Sequence, residues 1–230
     1  MSSVTAALQV DDLTVSVPNR TLIRGACFAV AAGECVGLTG PNGSGKSTLL
    51  RTVAGRLEHS VGRIAYGTAI VTAAGGWRNG IGYMPADLDA PGFLTLDEYL
   101  RVVAIARGML PTDWPDRLEE LVEVLQLTAH RERGLSELST GTAKKVGFAA
   151  ALLHRPSLLL CDEPFEGLDG YSVHAVTDLI RGFVDTGGAA LICTHRTRFM
   201  VGLANSVLTV SEERIHVGES GFSEHPGANR

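Results

Sequence analysis

Long apolar runs are the first thing this sequence lacks. The longest, Val146 to Leu153, is broken by Gly147 and falls far short of the roughly 20 residues a membrane-crossing helix needs. No bilayer-spanning helix is therefore expected. The opening stretch MSSVTAALQV has no basic segment leading into an apolar one, so no secretory signal is expected either. Basic excess is missing too: 20 Lys and Arg stand against 25 Asp and Glu, for a net charge of −5. Such a surface offers little to a phosphodiester backbone, and nucleic acid is excluded as a partner. Cysteine is sparse. Cys27, Cys35, Cys161 and Cys193 stand far apart with no C-x-x-C pair, which excludes a zinc ribbon or a disulfide framework. They read as small buried hydrophobes in a reducing compartment. Aromatics are absent before Phe28, and lysine occurs only at Lys46, Lys144 and Lys145. Each lysine is thus worth placing.

What remains is 45% hydrophobic residues, 20% charged residues and 27 glycines in 230 residues, an ordinary composition for a soluble globular chain with a real core. One domain is expected. Residues 7–17 and 23–30 alternate in part and flank the turn Pro18-Asn19-Arg20, which predicts an antiparallel β section. Cys35–Thr39 is a short apolar strand of the buried kind. Residues 61–84 return to short strands ending in Ile81-Gly82-Tyr83-Met84. The period then changes. Thr95-Leu96-Asp97-Glu98 is a capping box, with Thr at the N-cap and Glu at N3, and Pro115 suits a second helix start. Residues 87–138 read as a helical insert. Ser139 to Leu153 predicts a further helix, Leu158–Cys161 a buried strand, Ser172–Thr186 a helix and Ala189–Cys193 another buried strand. Residues 207–217 predict a hairpin around Ser-Glu-Glu-Arg, and a frayed Gly/Ser/Pro-rich tail is expected from Glu219 onward.

The segment Gly40-Pro41-Asn42-Gly43-Ser44-Gly45-Lys46-Ser47-Thr48 matches G-x-x-x-x-G-K-[ST], after an expected strand and before an expected helix. Glycines let successive N–H groups turn inward on phosphate oxygens, and the helix N-terminus adds partial positive charge. Lys46 brings a full charge to the β- and γ-phosphates of a nucleotide, and Ser47 offers a hydroxyl to Mg²⁺. A second piece is Leu158-Leu159-Leu160-Cys161-Asp162-Glu163, a buried strand ending in two acids. Two acids there are costly without work or partners. If this strand lies beside the loop strand, it delivers Asp162 towards Mg²⁺ and leaves Glu163 to polarise an attacking water.

With these motifs in order, the chain resembles the ATP-binding cassette (ABC) ATPases, the motor subunits of ABC transporters, over roughly Ala7 to Val217. The resemblance implies an α/β fold: a P-loop NTPase of ABC type, with a mixed β core, an antiparallel β subdomain and a helical insert. It divides a single domain, 1–230, into a core (1–86 and 139–230) and a helical subdomain (87–138). Leu138-Ser139-Thr140-Gly141-Thr142 stands at the family's L-S-G-G-Q signature; Ser139 and Gly141 match, and Thr140 and Thr142 depart. In the family this segment faces the γ-phosphate held by a second cassette, so Ser139 and Gly141 are expected to bind the partner's ATP. Gly167-Leu168-Asp169 resembles the loop that crosses the dimer interface, with Asp169 in the ATP-binding set. His195, after the strand Ala189–Thr194 and two strand-ends from the phosphate loop, resembles the switch histidine and joins Glu163 as catalytic. Two departures stand out. Ala86 occupies the position of a family glutamine, with Asp87 one residue on as a substitute, and Val17 stands where an adenine-stacking aromatic is usual.

The resemblance implies an ATP-hydrolysing subunit that uses ATP and Mg²⁺, pairs as a homodimer or with another cassette, and powers a separately encoded multi-span membrane subunit from the cytoplasmic face. The short chain and the Asp-Glu-Pro-Phe-Glu-Gly-Leu-Asp stretch look more like export systems for small molecules, drugs, antibiotics or lipids. The alternatives are a soluble non-transport cassette of the iron–sulfur assembly type and a hydrolysis-poor regulatory cassette.

Overall fold

Two patterns of alternation build the structure, a computed structural model that describes residues 6–58, 61–67, 69–70 and 80–219. The strands β1 (Ala6–Val17) and β2 (Arg20–Ala31) pair antiparallel across the turn at Asn19. With β4 (Arg63–Tyr66) and β5 (Ala69–Ile70) they form a four-stranded sheet in the order β2-β1-β4-β5. The second sheet has six strands: β3 (Cys35–Thr39), β6 (Ile81–Met84), β7 (Leu158–Asp162), β8 (Ala189–Cys193), β9 (Ser206–Ser211) and β10 (Arg214–Glu219). Their order is β10-β9-β3-β8-β7-β6, parallel throughout except for the β9–β10 hairpin. That hairpin turns on Glu212 and Glu213, both at positive φ, as a tight two-residue connection requires. The tail beyond Glu219 lies outside the described residues.

Strands β3, β7 and β8 are buried on both faces, and their side chains divide between two cores. Leu158, Leu160, Leu191, Val36 and Leu38 pack under the antiparallel sheet with Leu49, Leu50 and Val53 of α1 (Lys46–Val53). Leu159, Cys161, Ile192 and Cys35 face the other core, made by α2 (Leu96–Ala106), α3 (Pro115–Val124), α4 (Thr140–Leu152) and α5 (Gly170–Asp185). A period of two over five residues is what places one strand in two cores at once. The capping box forms at α2: Glu98 N–H donates to Thr95 Oγ1 at 3.2 Å, and Thr95 N–H donates to Glu98 Oε2 at 2.9 Å.

Two expectations are corrected. The strand beside β3 is β8, not β7. Asp162 is therefore two strands from the phosphate loop, and His195 follows the adjacent strand. All three strands are short apolar runs buried on both faces, so nothing in their patterning distinguishes their neighbours. Cys27 is exposed, unlike the other three cysteines, and its sulfur accepts a hydrogen bond from Asp12 N–H. It sits on β2 at a position that points away from the core.

Helix α4 is fixed to β6 at its C-terminal end. His154 Nε2 donates to the Ile81 carbonyl at 3.0 Å, and its buried Nδ1 has no partner. Burial, and then Arg107, pull the imidazole from an ordinary 6.5 down to about 4. The folded chain thus refuses a proton that the unfolded chain accepts, so the contribution of neutral His154 is complete above pH 6.5 and is lost as the pH falls towards 4. His154→Gln, which keeps the donor, should flatten the acid limb of the denaturation midpoint in that window. An unchanged slope there would remove His154 as a contributor.

Candidate active site

The loop between β3 and α1 wraps its own lysine. Lys46 is buried, and its ammonium donates to the Gly40 and Pro41 carbonyls, both at 2.8 Å. Gly45 is the N-cap of α1 at φ 103°, a left-handed conformation closed to other residues without strain. Gly40 is at φ 140°, and a Cβ there would lie 2.4 Å from the Val210 carbonyl oxygen. Ser44 N–H donates to Pro41 O at 3.3 Å, and the Ser44 hydroxyl is buried without a partner. Pro41, Asn42 and Gly43 are exposed at the tip, with Ser47 and Thr48 half-buried in the first turn of α1.

Asp162 ends β7, is 1% exposed, and has no hydrogen-bond partner on either carboxylate oxygen. Burial pushes its pKa up, while the neighbouring Ser47 hydroxyl and Cys193 thiol act in the opposite direction. An orphaned buried carboxylate beside a serine hydroxyl is a donor set of hard oxygens that fits Mg²⁺.

Glu163 follows at φ 51°, a left-handed backbone held by its N–H bond to the Cys193 carbonyl at 2.8 Å. Such strain in a glutamate persists only where the surroundings over-determine it. The carboxylate accepts the His195 backbone N–H at 3.1 and 3.2 Å, and its Oε2 lies 3.0 Å from His195 Nδ1. Glu163 and His195 thus form one bonded pair across the ends of β7 and β8. Because Cys193 pairs with Asp162 in register, the residues just beyond them are brought together, a consequence of strand order that sequence spacing does not carry.

The signature residues lie elsewhere. Ser139 caps α4 by accepting Thr142 N–H at 3.2 Å. Gly141 faces the 163–169 loop so closely that a Cβ would sit 2.6 Å from the Gly167 carbonyl oxygen. Asp169 caps α5, accepting Ser172 N–H at 2.7 Å, and that bond lowers its pKa. Val17 is at the exposed end of β1. Ala86 follows β6, and Asp87 is exposed and lines a cleft of about 730 Å³ with Arg51, Arg56, Tyr83, Tyr99 and Arg107. A larger groove of about 910 Å³ between α3 and α5 contains none of the phosphate-loop or strand-end residues.

One residue of this region was missed. Lys144 has no task assigned from the sequence, yet its side chain is 5% exposed. Its ammonium donates to the Ala86 carbonyl and lies 3.9 Å from Glu166 Oε2. The available signal was the rarity of lysine and a position amid the apolar residues of α4.

A glycine-rich loop closed on a buried lysine, at the C-terminal end of a parallel strand and facing an acidic strand end, defines a phosphate-loop α/β protein. The family profile for ABC transporters matches residues 23–166. The Nod factor export ATP-binding protein I of Rhizobium meliloti (strain 1021) is 33% identical over 83% of this chain and 57% of its own length. The linearmycin resistance ATP-binding protein LnrL of Bacillus subtilis (strain 168) is 29% identical over 92% of this chain and 68% of its own. The Nod factor export protein of Mesorhizobium japonicum is 31% identical over 98% of this chain and 68% of its own. The chain thus spans between 57% and 68% of the length of these relatives. Among solved structures, an ATP-binding subunit of an ABC transporter superposes with a TM-score of 0.86 at 29% identity, covering 93% of this chain and 90% of that one. The chain belongs to the ABC transporter family, as an ATP-binding cassette. Among its described residues no helix is long and apolar enough to cross a membrane.

Proposed function

We propose that this cassette binds and hydrolyses ATP with Mg²⁺ and powers export of a small molecule, drug, antibiotic or lipid through a separate multi-span membrane subunit. The observation that carries the hydrolytic part is the Glu163–His195 pair beside the orphaned Asp162. The named relatives, two of them export proteins and one a resistance protein, support the direction of transport.

Each residue has a stated task. Lys46 exchanges the Gly40 and Pro41 carbonyls for β- and γ-phosphate oxygens, and the loop N–H groups with the α1 terminus hold the remaining phosphate charge. Ser47 and Asp162 would hold Mg²⁺, which supplies charge neutralisation on the phosphates. Glu163 accepts the proton of the attacking water, and His195 holds that carboxylate in place while facing the γ-phosphate. Ser139 and Gly141 present the α4 N-terminus to the nucleotide of a second cassette, in a homodimer or with another cassette, and Asp169 lies at that interface. The 730 Å³ cleft, with Tyr83, Tyr99 and Val103 among three arginines, receives a cytoplasmic helix of the membrane subunit. The protein thereby works on the cytoplasmic face.

Co-purification tests the assembly. Extracted in mild detergent from its native membranes, the tagged chain should bring down a multi-span protein in stoichiometric amount. Recovery from the soluble fraction with iron–sulfur assembly proteins instead would replace the transport reading.

A further inference from the structure

Helix α4 carries the signature segment at one end, and the two ends are fixed to different segments. At the C-terminal end the backbone of β6 touches the backbone of α4: a Cβ on Gly82 would sit 2.2 Å from the Ala151 carbonyl oxygen. His154 adds its bond to Ile81. Midway, Met84 and Leu88 pack beside Gly147. At the N-terminal end the backbone of Gly141 approaches the Gly167 carbonyl of the Glu163–Asp169 loop, and Lys144 adds polar contacts to that loop and to the connection after β6.

A buried ammonium is costly unless its donors are used. Lys144 gives one to the Ala86 carbonyl and lies 3.9 Å from the Glu166 carboxylate. Ala86 lies in the connection from β6 to the helical insert, and Glu166 is three residues beyond Glu163 in the loop that runs to Asp169. The same loop meets Gly141 through the Gly167 carbonyl. One cation therefore joins three segments: the connection after β6, the loop carrying Glu163 and Asp169, and the helix that presents Ser139 and Gly141.

We propose that Lys144 is a positioning residue that sets the pose of the Ser139–Gly141 helix end relative to the chain's own Glu163–Asp169 loop, so that the cassette is shaped to close on a second nucleotide-loaded copy. The role rests on the reading that Ser139 and Gly141 serve the nucleotide of a second cassette. Ala86 has no side chain able to reach the reaction centre, and the link between its loop and the signature helix runs through its carbonyl. Nothing in this arrangement touches Lys46 or the phosphate loop, so loss of Lys144 acts on assembly and turnover rather than on nucleotide capture.

The experiment measures ATP-dependent dimerisation of the purified chain by analytical ultracentrifugation in a Glu163→Gln background, together with binding of a fluorescent ATP analogue. Lys144→Met keeps the length of the side chain and removes its charge. It should weaken the dimer about tenfold, with nucleotide affinity of the monomer changed less than about twofold. Lys144→Arg should restore most of the dimer. Glu166→Gln, at an exposed side chain, should weaken it about threefold. The proposal is overturned if Lys144→Met dimerises as its parent does, if monomer nucleotide affinity falls as far as dimerisation does, or if Lys144→Arg gives no rescue. Should Lys144→Met fail to fold, Glu166→Gln decides, and an unchanged dimer overturns the proposal. If the Glu163→Gln parent stays monomeric with ATP, the pairing of two copies of this chain falls and takes this role, stated for a second copy, with it. A dimerising parent with a dimerising Lys144→Met variant removes the role of Lys144 alone.

Discussion

Glu163→Gln should reduce ATP turnover by about 100- to 10,000-fold, the range that a general base contributes, while nucleotide binding stays intact. The substitution is nearly isosteric, and the amide oxygen can still accept the His195 backbone N–H that now bonds to Glu163 at 3.1 and 3.2 Å. The amide nitrogen can still face His195 Nδ1. What is lost is proton acceptance alone. Neither Lys46 nor Asp162 is disturbed, so ATP should load and remain uncleaved, and the chain should accumulate as an ATP-bound dimer on a sizing column. Phosphate release measured at saturating ATP decides the matter. Wild-type turnover in the variant would show that Glu163 is not the base and would shift attention to His195.

The second large effect is on stability. Gly82→Ala places a Cβ 2.2 Å from the Ala151 carbonyl oxygen and 2.9 Å from Pro156 Cγ. The first neighbour is backbone and cannot rotate away. Either β6 or α4 must move by about 1 Å, and overpacking of this kind costs about 3 kcal/mol, the upper part of the usual range. For a chain of this size that corresponds to a Tm lower by about 6 to 12 °C. Gly80→Ala is the control, since among the described residues its Cβ would meet the Ser157 hydroxyl at 3.3 Å and no backbone atom, and its effect should stay below about 0.5 kcal/mol. Calorimetry on the two variants should separate them. Equal Tm values would mean that α4 rides loosely on β6.

The motifs were legible because each is local. The Gly40–Thr48 loop needs only its glycines and Lys46, and Thr95 with Glu98 states a helix start in four letters, so both formed as expected. The apolar runs 35–39, 158–161 and 189–193 were likewise readable as buried strands. Their neighbours were not, because three strands buried on both faces carry the same pattern, and β8 turned out to lie between β3 and β7. The Glu163–His195 bond was hidden for the same reason: it depends on which strands are adjacent, and the two residues stand 32 positions apart. Lys144 was hidden by its type. A lysine on a helix is ordinarily solvated, and only the packing of α4 on the Ala86 connection and the Glu166 loop reveals a buried one.

The strand order also gives the molecule a built-in ruler. Neighbouring strands in a sheet are spaced about 4.8 Å apart, so the ends of β3, β8 and β7 mark off three evenly spaced stations over about 10 Å. Lys46 is anchored at the first, His195 at the second, Asp162 with Glu163 at the third. On the proposed function, a polyphosphate laid across these ends would meet its contacts in spatial sequence, although the chain supplies them in a different order. Distances between the stations are set by backbone hydrogen bonds rather than by side chains. The gauge therefore survives substitution of almost any apolar residue within the strands, and would be lost only if the sheet itself came apart.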